Sequence, residues 1–143
     1  MSFPNVFCDQ TSRLYIDYWK INDVTRKDSY PLPLISDSLD TLGGSSWFSS
    51  IELSSGFYQV QMDPDHKEKT AFTSYEGLYQ FKYLSFGLCN TVTTFERLME
   101  FVLRGLPWKM CILYIDDIIV FADEFESHIA RLDAVLDKLS NAY

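Results

Sequence analysis

Asp116 and Asp117 stand side by side between two apolar runs, Cys111 to Ile115 and Ile118 to Ala122. Both runs are rich in β-branched residues, so the stretch predicts a hairpin with the two acids at its tip. Strands this apolar belong to a core, and adjacent carboxylates at its edge repel each other while burial raises the cost of ionising them. A divalent cation relieves both costs, because carboxylate oxygens are its natural ligands. A solvated turn relieves them too, since Asp is a common turn residue. The chemistry open to the first arrangement is phosphoryl transfer assisted by two ions, which needs carboxylates from more than one element. Glu52 is the best third acid, because it nearly ends an apolar run just before the turn-forming Ser54-Ser55-Gly56. Asp17, in mid-strand, and Asp123, suited to a helix cap, rank below it.

A nucleotide site would also need a cation for a triphosphate and an apolar platform for sugar and base. Arg13, just before a strand, serves the first need and Phe57, near Glu52, the second; a solvated arginine is the plainer reading of Arg13 alone. No GxxxxGK[ST] or GxGxxG loop is present, and nothing local supports Ser-His-Asp or Cys-His catalysis.

The elements that must position these residues read as follows. Leu14 to Tyr18 is a strand, and Met1 to Thr11 a loop or edge strand. After Pro31-Leu32-Pro33, residues Ile35, Leu39 and Leu42 fall at helical spacing and Gly43-Gly44 ends that helix. Trp47 to Leu53 is a strand. Phe57 to Met62, Thr70 to Thr73 and Tyr79 to Leu84 read as three more, the first two separated by a charged turn over 63–69. Thr93 with Glu96 forms a capping box for a helix over 93–104, with Phe95, Leu98, Met99, Val102 and Leu103 on its apolar face. A last helix runs from Glu124 to Leu139 behind an Asp123 N-cap. Without regular βαβ alternation or repeats, the class is α+β: an antiparallel sheet with helices packed on one face.

The 143 residues fit one domain, and 47% hydrophobic with 16% aromatic residues supply a core. Twelve Lys+Arg against 20 Asp+Glu give a net charge of −8, the opposite of the basic balance usual in phosphate-backbone binders. Cys8, Cys89 and Cys111 are widely spaced and read as reduced core cysteines. His66 and His128 read as surface histidines without partners at zinc spacing. No apolar segment approaches the ~20 residues of a membrane span or resembles a signal peptide, so the expected location is intracellular, cytoplasmic or nuclear, without membrane contact or secretion.

A set of residues in order adds a resemblance: Arg13-Leu-Tyr-Ile-Asp17-Tyr18 with Asn22, Asp28-Ser-Tyr-Pro-Leu-Pro33, Phe48 with Leu53-x-Ser55-Gly56-Phe57, Lys69-Thr-Ala-Phe72, Phe86-Gly-Leu-Cys-Asn90, Phe95-x-Arg97-Leu-Met99 and Tyr114-Ile-Asp-Asp117. Together they closely resemble the reverse transcriptase in the Pol polyprotein of gypsy-class LTR retrotransposons, over nearly the whole chain. The resemblance implies a right-hand polymerase fragment, with fingers at about 1–26 and 59–90 and palm at about 27–58 and 91–143. It implies that Asp116 and Asp117 bind metal and catalyse, with Glu52 in the place of the first catalytic aspartate. Arg13 would meet the incoming triphosphate, Phe57 would pack under the deoxyribose, Phe86 and Gly87 would line the nucleotide pocket, and Tyr114 would lie near the primer terminus. The implied cofactor is Mg²⁺, two ions with Mn²⁺ as a substitute. The implied partners are a primed RNA or DNA template, dNTPs and the rest of a Pol polyprotein: thumb, connection and RNase H.

The chain departs from that pattern in places. Glu52 replaces Asp, Trp19 stands for Arg, Ser85 for Pro, and Thr91-Val92-Thr93 for Ala-Pro-Ala. A shorter Phe7-Cys-Asp-Gln-Thr-Ser12 replaces a lysine-containing finger hairpin, and the sequence stops before the thumb. Two readings therefore stand: an RNA-directed DNA polymerase core, or a degenerate, catalytically inactive fragment acting at most as a binding or interaction module. A two-metal nuclease would use the same three acids but leaves Arg13, Phe57 and Phe86-Gly87 unexplained. A palm without its thumb should also expose an apolar face and self-associate.

Overall fold

The computed structural model describes residues 6–8 and 14–142. In chain order, β1 (Val6–Cys8), β2 (Leu14–Ile16), α1 (Trp19–Val24), α2 (Ile35–Leu42) and β3 (Trp47–Glu52) come first. Two 3₁₀ turns, Gly56–Gln59 and Pro64–Thr70, then lead to β4 (Phe72–Ser74) and β5 (Gly77–Tyr79). The chain finishes with α3 (Thr91–Val102), β6 (Cys111–Tyr114), β7 (Asp117–Ala122) and α4 (Phe125–Ser140). It divides into two units, Met1–Ser29 with Ser55–Val92 and Tyr30–Ser54 with Thr93–Tyr143. No helix of the described residues is long and apolar enough to cross a membrane.

The first unit holds two antiparallel pairs, β1 with β2 and β4 with β5. Ile16, Tyr18 and Phe72 form its core, with Ile21, Phe81 and Leu88 packed around them. Tyr18 is locked in place by donating its hydroxyl to the Thr70 carbonyl at 3.0 Å, and burial pushes its phenol up to about 12. The expected strand over 57–62 is instead a 3₁₀ turn. Ser55, at φ 54°, bends the backbone sharply, and the Tyr58 and Val60 amides bond back to Ser55 and Phe57. What remains of the expected pairing is the Gln61–Tyr83 bridge, with Met62 donating to Lys82 and Leu84 to Val60.

The second unit is built on a three-stranded antiparallel sheet in the order β3-β7-β6. Period-two alternation fails in β7 because Ile118, Val120, Phe121 and Ala122 are all buried: it is the central strand, and α4 packs against it and β3. Helix α2 ends at Leu42 before Gly43-Gly44, as its spacing predicts. The α+β expectation is met.

Other details differ from the sequence reading: β5 covers Gly77–Tyr79 where a strand over Tyr79 to Leu84 is expected. α4 starts at Phe125 with Glu124, not Asp123, at its cap and no capping side-chain bond. His128 is not a surface residue but is buried, 2.8 Å from the Ser49 hydroxyl through Nε2. On α3, Leu98 faces solvent, while Phe95, Glu96 and Met99 are buried. Trp47, Phe48, Phe125, Ile129 and Leu136 leave large apolar surfaces exposed in this unit.

Candidate active site

Two strands of the second unit deliver the acids. β3 and β7 pair in register from Trp47 opposite Ala122 to Glu52 opposite Asp117, and β6 extends the last rung with Tyr114 opposite Asp117. Directly opposed residues share a face, with Cβ atoms roughly 4.5–5.5 Å apart. Tyr114, Asp117 and Glu52 thus form one row across the end of the sheet, all three exposed. Asp117 is the first residue of β7 rather than part of the tip.

Asp116 is placed differently. It lies in the two-residue turn Ile115-Asp116, and its carbonyl accepts the Leu53 N–H at 3.2 Å, which ties the turn to the end of β3. Its Oδ1 is buried without a hydrogen-bond partner. Burial pushes the Asp116 carboxyl above the usual range, and the charges of Asp117 and Glu52 push it the same way. The three acids therefore form one electrostatic group assembled from β3, β7 and the turn before β7.

The turn that carries them is strained. Ile115 has φ 56°, a conformation in which a two-residue hairpin turn favours Gly and a β-branched residue is an outlier. Such strain costs roughly 1–3 kcal/mol. Glu96 of α3 meets it: its Oε2 accepts the Ile115 N–H at 3.0 Å. A hydrogen bond contributes about 0.5–1.5 kcal/mol, and about 1.5–3 kcal/mol where the acceptor is ionised, which is of the order of the strain. Glu96 is fully buried and its Oε1 has no partner. Burial raises its carboxyl, the Ile115 amide partly offsets this, and Glu100 and Asp116 raise it further. The expected capping box is thus not made: α3 starts at Thr91, Thr93 lies within its first turn, and Glu96 reaches into the core.

The donors suit a hard divalent cation. Asp116 brings a buried oxygen without a partner, and Asp117 and Glu52 bring exposed carboxylates. Among the described residues no three His, Cys, Asp or Glu side chains converge enough to enclose an ion alone. Mg²⁺ does not need that, since it is usually held by one or two carboxylates with substrate phosphates and water completing the octahedron.

The remaining candidates, apart from Arg13, lie in the first unit. Phe57 is buried, its ring 5.0 Å from that of the partly exposed Phe86 in an edge-to-face contact. Gly87, at φ 91°, passes over Ile16 so closely that a Cβ would meet the Ile16 carbonyl oxygen at 3.0 Å. Asn22 braces this loop at two points, donating to the Gly87 carbonyl at 2.7 Å and accepting the Cys89 N–H at 2.8 Å. Arg13 lies outside the described residues. Asp17, ranked low, uses its carboxylate to accept the Trp19 N–H at the start of α1. Glu96 falls three residues before the buried Met99 on the same face of α3, a sequence signal that its side chain turns inward.

The reverse transcriptase (RNA-dependent DNA polymerase) family matches residues 8–143. The chain belongs to the reverse transcriptase family. This reverse transcriptase domain is 40% identical over 130 residues to the retrovirus-related Pol polyprotein from transposon 297 of Drosophila melanogaster, covering 91% of the chain and 12% of that protein. It is 33% identical over 126 residues to an RNA-directed DNA polymerase homolog of Oenothera berteroana, covering 86% of the chain and 89% of that protein. The foamy viral protease–reverse transcriptase in complex with dsDNA superposes with a TM-score of 0.77 at 25% identity, over 97% of the chain and 29% of that structure. The same enzyme in complex with an RNA/DNA hybrid gives 0.77 at 23%, over 94% and 18%. The reverse transcriptase chain thus spans about an eighth of the transposon polyproteins it matches, and its family implies dependence on a divalent metal.

Proposed function

We propose that this chain is the catalytic core of an RNA-directed DNA polymerase that extends a primer by two-metal phosphoryl transfer. The observation that carries the proposal is the end of the second unit's sheet, where Glu52 opposes Asp117 in register and Asp116 sits on the adjoining turn with a buried, unpartnered oxygen. In a reverse transcriptase family member these are the groups that would hold Mg²⁺. Two such ions, when bound, supply Lewis acidity at the primer 3′-oxygen and charge neutralisation on the triphosphate and leaving pyrophosphate. Asp116 and Asp117 present their carboxylates at the hairpin, Glu52 adds a third from the neighbouring strand, and Tyr114 stands beside Asp117 near the primer terminus. Phe86 and Gly87 line the nucleotide pocket, Phe57 backs the deoxyribose through its packing on Phe86, and Arg13 pairs with the triphosphate of the dNTP. The first unit serves as fingers and the second as palm. A primed RNA or DNA template is the macromolecular partner, and the rest of a Pol polyprotein completes the grip on the duplex.

Primer extension on poly(rA)/oligo(dT) with Mg²⁺ and then Mn²⁺ tests this. Expected is dTTP-dependent extension by the wild-type chain that Asp116→Asn abolishes. A folded wild-type chain that extends no primer with either ion, or extension that survives Asp116→Asn, overturns it.

A further inference from the structure

The hairpin that carries Asp116 and Asp117 is held in shape by a residue outside the acidic group. Its first turn residue is Ile115 at positive φ, where glycine would sit without strain. The amide of that residue has one observed partner, the Oε2 of Glu96 at 3.0 Å. Glu96 comes from α3, is fully buried and reaches the turn from within the second unit. The other tie on the turn is the Asp116 carbonyl, bonded to the Leu53 amide at the end of β3. The turn is thus fixed from both sides, by the strand bearing Glu52 and by a helix. A buried carboxyl with one oxygen unpartnered is costly to keep, and its single hydrogen bond is to the backbone beside the acids.

We propose that Glu96 is a positioning residue: its carboxyl oxygen clamps the Ile115 amide and so holds the strained turn in the conformation that aims Asp116 and Asp117 at the metal. The proposal rests on the two-metal reading of the site. The feature required is an acceptor at the end of a side chain of this length. Glutamine retains it and leucine does not, so the two substitutions separate acceptor geometry from simple filling of space. Releasing the clamp frees the hairpin tip to relax Ile115 toward negative φ, and the carboxylates move with it. Residues that orient metal-binding groups in this way are typically worth about 10–100-fold in metal affinity.

The test compares the wild-type chain with Glu96→Gln and Glu96→Leu by Mn²⁺ titration followed by electron paramagnetic resonance, and by amide hydrogen exchange. Expected is that the Ile115 amide of the wild-type chain is protected despite its place at a hairpin tip. Protection and Mn²⁺ affinity should persist in Glu96→Gln, while Glu96→Leu exposes the amide and weakens Mn²⁺ by about 10–100-fold. Unchanged Mn²⁺ affinity in a folded Glu96→Leu chain overturns the inference, as does a Glu96→Gln chain as weak as Glu96→Leu. Should Glu96→Leu not fold, the wild-type exchange rate decides: an unprotected Ile115 amide refutes the clamp and a protected one upholds it. A wild-type chain that binds no Mn²⁺ at millimolar concentration refutes the two-metal reading itself, and with it the role given to Glu96. Loss confined to the leucine variant concerns Glu96 alone.

Discussion

Replacing Asp116 by asparagine should make the metal-free chain more stable while removing its response to metal. Asp116 feels two like charges, Asp117 beside it and Glu52 on the facing strand, and its Oδ1 is buried without a partner. Two unit charges ~6 Å apart interact by roughly 2.8 kcal/mol at an effective dielectric of ~20. Glu52 and Asp117 are exposed, which discounts each pair to about 1 kcal/mol. Two pairs give about 2 kcal/mol, and relief of the buried charge acts in the same direction. For a domain near this size, ~1 kcal/mol moves Tm by about 2–4 °C, so Asp116→Asn should raise Tm in EDTA at neutral pH by about 4–8 °C. Millimolar Mg²⁺ should raise Tm of the wild-type chain and leave the variant unmoved, since ligand binding stabilises only where the site exists. Differential scanning fluorimetry with and without EDTA measures both. An unchanged or lower Tm for the folded variant in EDTA would refute the claim that these carboxylates oppose one another.

The raised carboxyls of Asp116 and Glu96 also set a pH dependence. Their contribution to stability is fully present below the ordinary carboxylate range near ~4 and is lost as pH rises through their raised values. Urea titrations should therefore show the stability of an Asp116→Asn/Glu96→Gln chain gaining on the metal-free wild type as pH rises, whereas a constant difference across pH contradicts the assignment. Glu52→Asp shortens the reach of the third acid to that of the family pattern; because ~1 Å of misplacement can cost about a hundredfold in rate, kcat for primer extension should rise by up to that factor. A fall in kcat would mean that β3 and β7 are already spaced for glutamate.

Legibility in the sequence followed the range of the interaction involved. The Asp116-Asp117 hairpin was plain because two apolar β-branched runs and a polar interruption are local signals, and α2 was plain from Ile35, Leu39, Leu42 and Gly43-Gly44. The place of Glu52 before a turn is a local signal, but its register opposite Asp117 depends on pairing across much of the chain. The stretch at 57–62 reads as a strand because Phe57, Tyr58 and Val60 are good strand formers, while Ser55 at positive φ starts a 3₁₀ turn that no propensity announces. His128 reads as a surface residue because its burial depends on α4 lying over β3, where Ser49 meets it. Glu96 was hidden by a capping pattern that local sequence satisfies and the tertiary structure does not use.

The pairing of β3 with β7 has a consequence during synthesis. About 65 residues (117 − 52) separate Glu52 from its partner Asp117, and translation proceeds at roughly 5–20 residues per second. Once emerged, β3 therefore waits on the order of 3–13 s for the strand that completes it, with Trp47 and Phe48 facing the cell. The β6-β7 hairpin, closed by two residues, needs only microseconds to form. β3 can pair only after β7 has emerged, so the acidic row exists only once that late strand is in place. Until then the nascent chain carries an unpaired, aromatic strand edge, the kind of surface that molecular chaperones bind.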